Sequence, residues 1–198
     1  MRKTKIICTL GPASDSDAVL ERLIQEGMDV ARFNFSHGTH EEQKKRLTKL
    51  RLLRERYGRP VATLLDTKGP EIRVRDFKDG AITLQKGDEF VLTGREVEGD
   101  EHIVTITYPE LVSDVKVGQR ILIDDGLIEM TVKELTDTDI ICDVNNGGKV
   151  SNHKGINVPG IHLSLPYISE VDKSDLLFGI EEDVDYVAAS FVRTAEDV

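Results

Sequence analysis

Arg32-Phe33-Asn34-Phe35-Ser36-His37 is the stretch on which the fold turns. Read as a strand, its period of two sends Arg32, Asn34 and Ser36 to one face and Phe33 and Phe35 to the other. The phenylalanines then pack under helices. A cation and two neutral oxygen donors face the opposite way, into an interior where a polar side chain is costly unless it binds something.

The surrounding sequence has the form such a strand needs. Over residues 3–67, short branched-aliphatic runs alternate with longer helical ones, as in a parallel sheet with crossover helices. Strands are predicted at 6–10, 30–36 and 61–67. Ser14 or Asp15 caps a helix with Val19, Leu20, Leu23 and Ile24 on one face and Gly27 at its end. A second helix over 40–57 places Leu47, Leu50, Leu53 and Tyr57 at three- and four-residue spacing, with Gly58 as its stop.

At Gly69-Pro70 the rhythm changes to strand-like runs separated by tight-turn signals, with no helical period. The runs fall at 81–84, 89–93, 102–107, 120–123, 127–135 and 140–144. Lys86-Gly87-Asp88, Asp124-Asp125-Gly126 and Asn145-Asn146-Gly147-Gly148 join them, and Asp-Gly and Asn-Gly supply the positive φ of hairpins. This segment reads as a small antiparallel barrel ending near Leu165-Pro166. The first pattern then resumes, with a helix opened by Ser169 or Asp172 and carrying Leu176, Leu177 and Ile180, then a strand over 186–192.

The expected fold is therefore α/β, with one domain interrupted by an all-β insertion. Residues 1–69 form its first part, 70–166 the insertion and 167–198 its continuation. Only four β/α units are present, against the eight of a closed (β/α)8 TIM barrel of roughly 250 residues. Open edge strands and apolar helix faces are expected to need another chain, a swapped copy or a continuation, so association or poor solubility is predicted. Thr194 and Asp197 read as the cap of a helix just beginning, so the chain is expected to be a truncated piece.

Composition narrows the function classes. The chain of 198 residues has 36 acidic against 26 basic residues, a formal charge of -10 that repels nucleic acid and anionic membranes. The basic stretch 44–59 alternates with leucines beside Glu41, Glu42 and Glu55, as a solvated helix face does. Cys8 and Cys142 lie far apart in strand-like runs, which argues against a disulfide framework and for core packing in a reducing compartment. The basic start, Met1 to Lys5, precedes an apolar run too short for a signal or membrane segment, so a cytoplasmic location is expected.

In a parallel α/β barrel, ligands sit at the C-terminal ends of the strands, here 9–12, 32–37, 66–68 and 190–193. Two accounts of their polarity stay open on pattern alone. The polar groups satisfy one another, or Asp66 and Thr67 complete an all-oxygen set with Asn34 and Ser36, suited to a hard cation, with Arg32 beside it to hold a phosphate.

Six strings bear a specific resemblance. Ile-Cys-Thr-Leu-Gly-Pro-Ala-Ser (7–14), Ala-Arg-Phe-Asn-Phe-Ser-His-Gly (31–38), Leu-Asp-Thr-Lys-Gly-Pro-Glu-Ile-Arg (65–73), Asp-Asp-Gly-Leu-Ile (124–128), Lys-Gly-Ile-Asn-Val-Pro-Gly (154–160) and Ala-Ser-Phe-Val-Arg (189–193) occur in one order around the inserted β-domain. The chain resembles pyruvate kinase over its whole length. That resemblance implies potassium at Asn34, Ser36, Asp66 and Thr67, the phosphate of phosphoenolpyruvate at Arg32, and ADP or ATP facing Asn34, Phe35, Ser36, His37, Arg73 and Lys154. Glu71 resembles members that need potassium. The implied reaction is phosphoryl transfer from phosphoenolpyruvate to ADP in glycolysis, followed by protonation of the enolate, which rests on positioning and charge neutralisation. The inserted domain is implied to be a lid hinged at Gly69-Pro70 and Leu165-Pro166.

The family's catalytic lysine, its magnesium-binding glutamate and aspartate, and a threonine near the transferred proton are implied to lie on later strands. The isolated piece is therefore expected to be inactive, and the full-length protein to be a homotetramer. A non-catalytic module binding nucleotide or cation is the alternative function class. Another phosphoenolpyruvate-using barrel enzyme fits the fold but not the six strings. His37 and His40 straddle a strand end and a helix start, so they read as capping and nucleotide contact rather than a metal pair. Asp124-Asp125-Gly126 and Gly147-Gly148-Lys149 read as turns, since the EF-hand and P-loop patterns are incomplete.

Overall fold

A computed structural model describes residues 3–198; the start read at Met1 and Arg2 lies outside them. Contacts divide the chain into two units, Met1–Pro70 with Pro166–Val198, and Glu71–Leu165. In the first, β1 (Ile7–Leu10) leads through a turn at Pro12–Ser14 to α1 (Asp17–Glu26). The cap of α1 is Ser16, whose hydroxyl accepts from Val19 N, rather than Ser14 or Asp15. Ser14 is held in the preceding turn, where its hydroxyl bonds the N–H and carbonyl of Gly11. Gly27, at φ 104°, ends the helix in the left-handed conformation.

Next come β2 (Val30–Asn34), α2 (His40–Arg56) and β3 (Ala62–Asp66). Thr39 and Glu42 form a reciprocal capping box at the start of α2. The alternation read at 32–36 is present as far as Asn34, where β2 ends and Phe35 and Ser36 enter a turn: Ala31, Phe33 and Phe35 are buried with Leu20, Ile24, Leu47 and Leu50 of the helices, while Arg32 and Asn34 lie on the other face.

The second unit contains β4 (Ile72–Arg73), β5 (Ala81–Leu84), β6 (Glu89–Thr93), β7 (Ile103–Thr105), α3 (Leu111–Asp114), β8 (Arg120–Ile123), β9 (Ile128–Leu135), β10 (Asp139–Val144), β11 (Gly148–Ser151) and β12 (Gly155–Asn157). Seven strands run in the order β4-β12-β8-β9-β10-β6-β7, and β11 pairs with β5. An antiparallel bridge between Val74 and Ile106 joins the end strands, so the sheet closes on itself around Phe90, Leu92, Ile121, Met130 and Cys142. One pair, β6 with β7, is parallel rather than antiparallel. The helix α3, at 4 residues, is too short to leave a helical period in the sequence. Asp124, Asp125 and Gly126 have the positive φ expected of them, at 55°, 54° and 90°. Gly147 and Gly148 lie outside the left-handed region and are needed for close approach instead. A Cβ on Gly147 would lie 2.5 Å from Leu84 O, and one on Gly148 2.6 Å from Ile128 Cδ1.

The chain then re-enters the first unit with α4 (Glu170–Glu181) and β13 (Tyr186–Ala188), completing a parallel sheet of order β1-β2-β3-β13. The face of α4 differs from the one expected. Leu177 and Ile180 are 54% and 76% exposed, whereas Asp172, Asp175, Phe178 and Gly179 are buried. The reason is polar docking. Asp172 accepts from Gly69 N, Asp175 Oδ1 lies 2.5 Å from His40 Nε2, and Glu182 just beyond the helix meets Lys44 and Arg51. Gly179 lets the helix approach Leu65, where a Cβ would come within 2.6 Å of Leu65 Cδ1. Apolar side chains stay exposed at both sheet edges, including Ile7 on β1 and Tyr186 and Val187 on β13. Among the described residues, no helix is long and apolar enough to cross a membrane.

Candidate functional site

Parallel register sets Asn34 of β2 opposite Asp66 of β3, and Asp66 opposite Ala188 of β13. Three strand tips therefore end at one level. Arg32, two residues before Asn34 on the same face, donates from Nε to Asp66 Oδ2 at 2.7 Å and brings Nη2 within 2.5 Å of the same oxygen. Its Nη1 donates to Thr9 Oγ1 at 2.7 Å. The other carboxylate oxygen, Asp66 Oδ1, accepts from Ser190 Oγ at 2.9 Å. The Arg32 side chain is 32% exposed and that of Asp66 15%, so the pair is partly shielded from water.

Beyond β2 the chain makes a turn. His37 N donates to Asn34 O at 3.4 Å, and Asn34 Oδ1 accepts from Ser36 N at 2.9 Å. Phe35 N donates to Asp66 O at 3.0 Å, which ties the turn to β3. The Phe35 ring is buried on the helix side, 6.0 Å from the His40 ring and 5.8 Å from that of Phe178. Only the main chain of Phe35 is thus left to face a ligand. His37 is exposed; His40 instead stacks on Phe178 and meets Asp175.

The Thr67 side chain does not point with the others, because strand alternation turns it to the buried face, opposite that of Asp66. It is 7% exposed, its hydroxyl accepts from Ser190 N at 3.1 Å, and it donates to Ala188 O at 3.4 Å. The Thr67 hydroxyl therefore serves the fold.

In the second unit, Arg73 and Lys154 are neighbours across paired strands. Arg73 pairs with Gly155, and Val74 N donates to Lys154 O. Glu71 Oε2 accepts from Arg73 Nε and meets Nη2, both at 2.8 Å, while Arg73 Nη1 donates to His153 O at 2.6 Å. Lys154 Nζ lies 2.9 Å from Asp124 Oδ1. Both cations are thus oriented by carboxylates of their own unit.

Comparison with known proteins gives these clusters a family. The model of the pyruvate kinase barrel domain matches residues 1–198. The chain belongs to the pyruvate kinase family. It is 52% identical over 200 residues to the pyruvate kinases of Staphylococcus haemolyticus (strain JCSC1435) and Staphylococcus aureus (strain USA300), covering 100% of this chain and 34% of each relative. The chain thus spans about a third of the length of the curated pyruvate kinases it matches.

Among the polar groups that the geometry brings to the strand tips of this pyruvate kinase chain, Thr9 and Ser190 lay in strand ends that the sequence pointed to but were given no role, and Gln43 was missed. Gln43 interrupts the leucine stripe of α2, three and four residues being the spacing that also carries Leu47 and Leu50, and it is 3% exposed. Among the described residues, no group of three or more His, Cys, Asp or Glu is placed to hold a metal ion. The oxygen groups at the tips are of another kind, one carboxylate with amide and hydroxyl oxygens, the donor chemistry of a hard cation rather than of zinc or copper.

Proposed function

We propose that the chain is the N-terminal portion of a pyruvate kinase, which transfers a phosphoryl group from phosphoenolpyruvate to ADP. The observation that carries this reading is the register of Asn34 with Asp66, with Arg32 on the same face. Asn34 Oδ1, Ser36 Oγ and Asp66 would hold potassium, and Thr67 would join through its carbonyl, since its hydroxyl is engaged on the buried face. An amide oxygen has two lone pairs, so Asn34 Oδ1 can keep the Ser36 N–H and still meet a cation. Arg32, always charged, would hold the substrate phosphate. The cation would neutralise charge beside that phosphate, which is most of what this class of transfer asks of a protein.

Asn34, the Phe35 main chain, Ser36 and His37 in the first unit, and Arg73 and Lys154 in the second, would face ADP or ATP. Unit 1 is read as the first four staves of a (β/α)8 barrel, which the parallel order and the exposed apolar edges support. The inserted closed sheet is read as the lid domain. Magnesium ligands and the proton-transferring groups are assigned to chain outside these 198 residues, so the isolated piece would bind without turnover. The whole protein would be a cytoplasmic homotetramer.

Calorimetric titration of the mass-verified chain with phosphoenolpyruvate, in potassium, sodium and tetramethylammonium chloride at equal ionic strength, tests the reading. Binding is expected in potassium and weaker in the other salts, with no pyruvate formed when ADP and magnesium are added. Equal binding in all three salts would overturn the cation assignment, and turnover would overturn the assignment of the catalytic groups.

A further inference from the structure

Gln43 lies in the first turns of α2 and outside the strings that carry the resemblance, yet it is 3% exposed. A buried primary amide needs acceptors for its N–H groups and a donor for its oxygen. Gln43 Nε2 donates to Asn34 O at 3.2 Å and to His37 O at 3.1 Å, while Oε1 accepts from Arg46 Nη1 at 3.5 Å. Two carbonyls on one side and a guanidinium on the other leave a single orientation for the amide.

Asn34 and His37 are the two ends of the turn that carries Ser36. One side chain thus spans the turn from below, while Phe35 N on Asp66 O fixes its middle. Gly38, at φ 79°, then reverses the chain toward the Thr39 cap; a Cβ there would meet Glu42 Oε2 at 2.9 Å. Behind Gln43, Arg46 is itself anchored, with Nε and Nη2 donating to the two oxygens of Asp15 at 2.6 and 2.9 Å. That anchor holds the Asp15 carboxyl below its ordinary range, through the Arg46 hydrogen bond first. Asp15, Arg46 and Gln43 therefore form a strut from the β1–α1 loop to the β2–α2 turn.

We infer that Gln43 is a positioning residue for the monovalent-cation site, setting the span between Asn34 O and His37 O so that Asn34 Oδ1 and Ser36 Oγ stand together opposite Asp66. The inference rests on the proposed cation reading. Groups that orient ligands from behind change metal affinity by about 10–100-fold when removed.

The test is amide NMR of the 198-residue chain, titrated with potassium chloride against tetramethylammonium chloride at constant ionic strength, following Ser36, His37 and Gly38. Gln43→Leu removes both donors at similar volume. Gln43→Glu keeps the shape and the acceptor for Arg46 but sets a carboxylate against two carbonyls, and it serves if the leucine variant fails to fold. Hydrogen exchange of β2 and β3 amides reports whether the fold is kept. The expected result is potassium affinity weaker by about tenfold or more, with preference over sodium reduced, while strand exchange is unchanged. Equal affinity and equal preference in wild type and variants would overturn the positioning role and leave the cation reading standing. No saturable potassium response in the wild type would overturn both.

Discussion

Removing the carboxylate of Asp66 should cost unit 1 more than an ordinary surface ion pair is worth. Arg32 meets Asp66 Oδ2 through Nε at 2.7 Å and Nη2 at 2.5 Å, with side-chain exposures of 32% and 15%. Two unit charges about 4 Å apart interact by about 1 kcal/mol in water and about 4 kcal/mol at a protein-like dielectric. Discounting the larger figure for an arginine that is one-third exposed leaves a coupling of roughly 2 kcal/mol. Asp66→Ala also strands the Ser190 hydroxyl, adding about 0.5–1.5 kcal/mol. The assay is a double-mutant cycle of Asp66→Ala and Arg32→Ala, read by native-state hydrogen exchange at β2 and β3 amides, because these report unit 1 by itself. The coupling should shrink as salt rises from 0.1 to 1 M, where the screening length falls from about 10 to about 3 Å. On the proposed cation reading, potassium at ten times its dissociation constant should stabilise the wild type by about 1.4 kcal/mol and the alanine variant not at all. A coupling under about 0.5 kcal/mol would refute the reasoning, since that is the range of fully solvated pairs.

Two other outcomes follow from single contacts. Tyr108 is 7% exposed, and burial, with the 2.8 Å bond from its hydroxyl to Asp114, pushes the phenol up from 10.0 to about 12. A raised folded value means the contribution is complete below about pH 10 and is lost as pH rises toward 12, by roughly 2–3 kcal/mol. Urea midpoints of unit 2 across that range should fall less steeply in Tyr108→Phe, and an unchanged slope would exclude Tyr108 as the cause. Gly69 sits at φ 66° with Ser190 O only 2.8 Å from where a Cβ would stand. Gly69→Ala should destabilise unit 1 by about 1–3 kcal/mol in the same exchange measurement, and a change under about 0.3 kcal/mol would contradict the close approach.

The face of β2 was legible because alternation is local: Arg32, Phe33, Asn34 and Phe35 carry their own sorting into polar and apolar sides. The strands β5, β6 and β8 were legible to the residue, since branched runs between turn residues leave few choices of boundary. The face of α4 was not. Its leucines and isoleucine suggested an apolar stripe, but its buried positions include two acids, Asp172 and Asp175, whose partners lie far along the chain. His40 is 135 residues from Asp175, Arg51 131 from Glu182, and Gly69 103 from Asp172. No window of sequence holds both members of such a pair. The direction of the Thr67 side chain, by contrast, was open to reading, because a strict period of two from Asp66 assigns its hydroxyl to the helix side.

The strand tips act as one connected object before any ligand is considered. Phe35 N bonds Asp66 O, Thr67 N bonds Ala188 O, and Ser190 returns from β13 with its N–H on Thr67 and its hydroxyl on Asp66. Phe191 follows at φ 59°, a conformation that a bulky side chain adopts only under constraint, at about 1–3 kcal/mol. Ser190, immediately before it, has both its donors used on β3. The strained residue thus directly follows the one that orients Asp66. A carboxylate held in this way from β13 by Ser190, and from β2 by Arg32, keeps its place through directed hydrogen bonds rather than through apolar packing of its own short side chain.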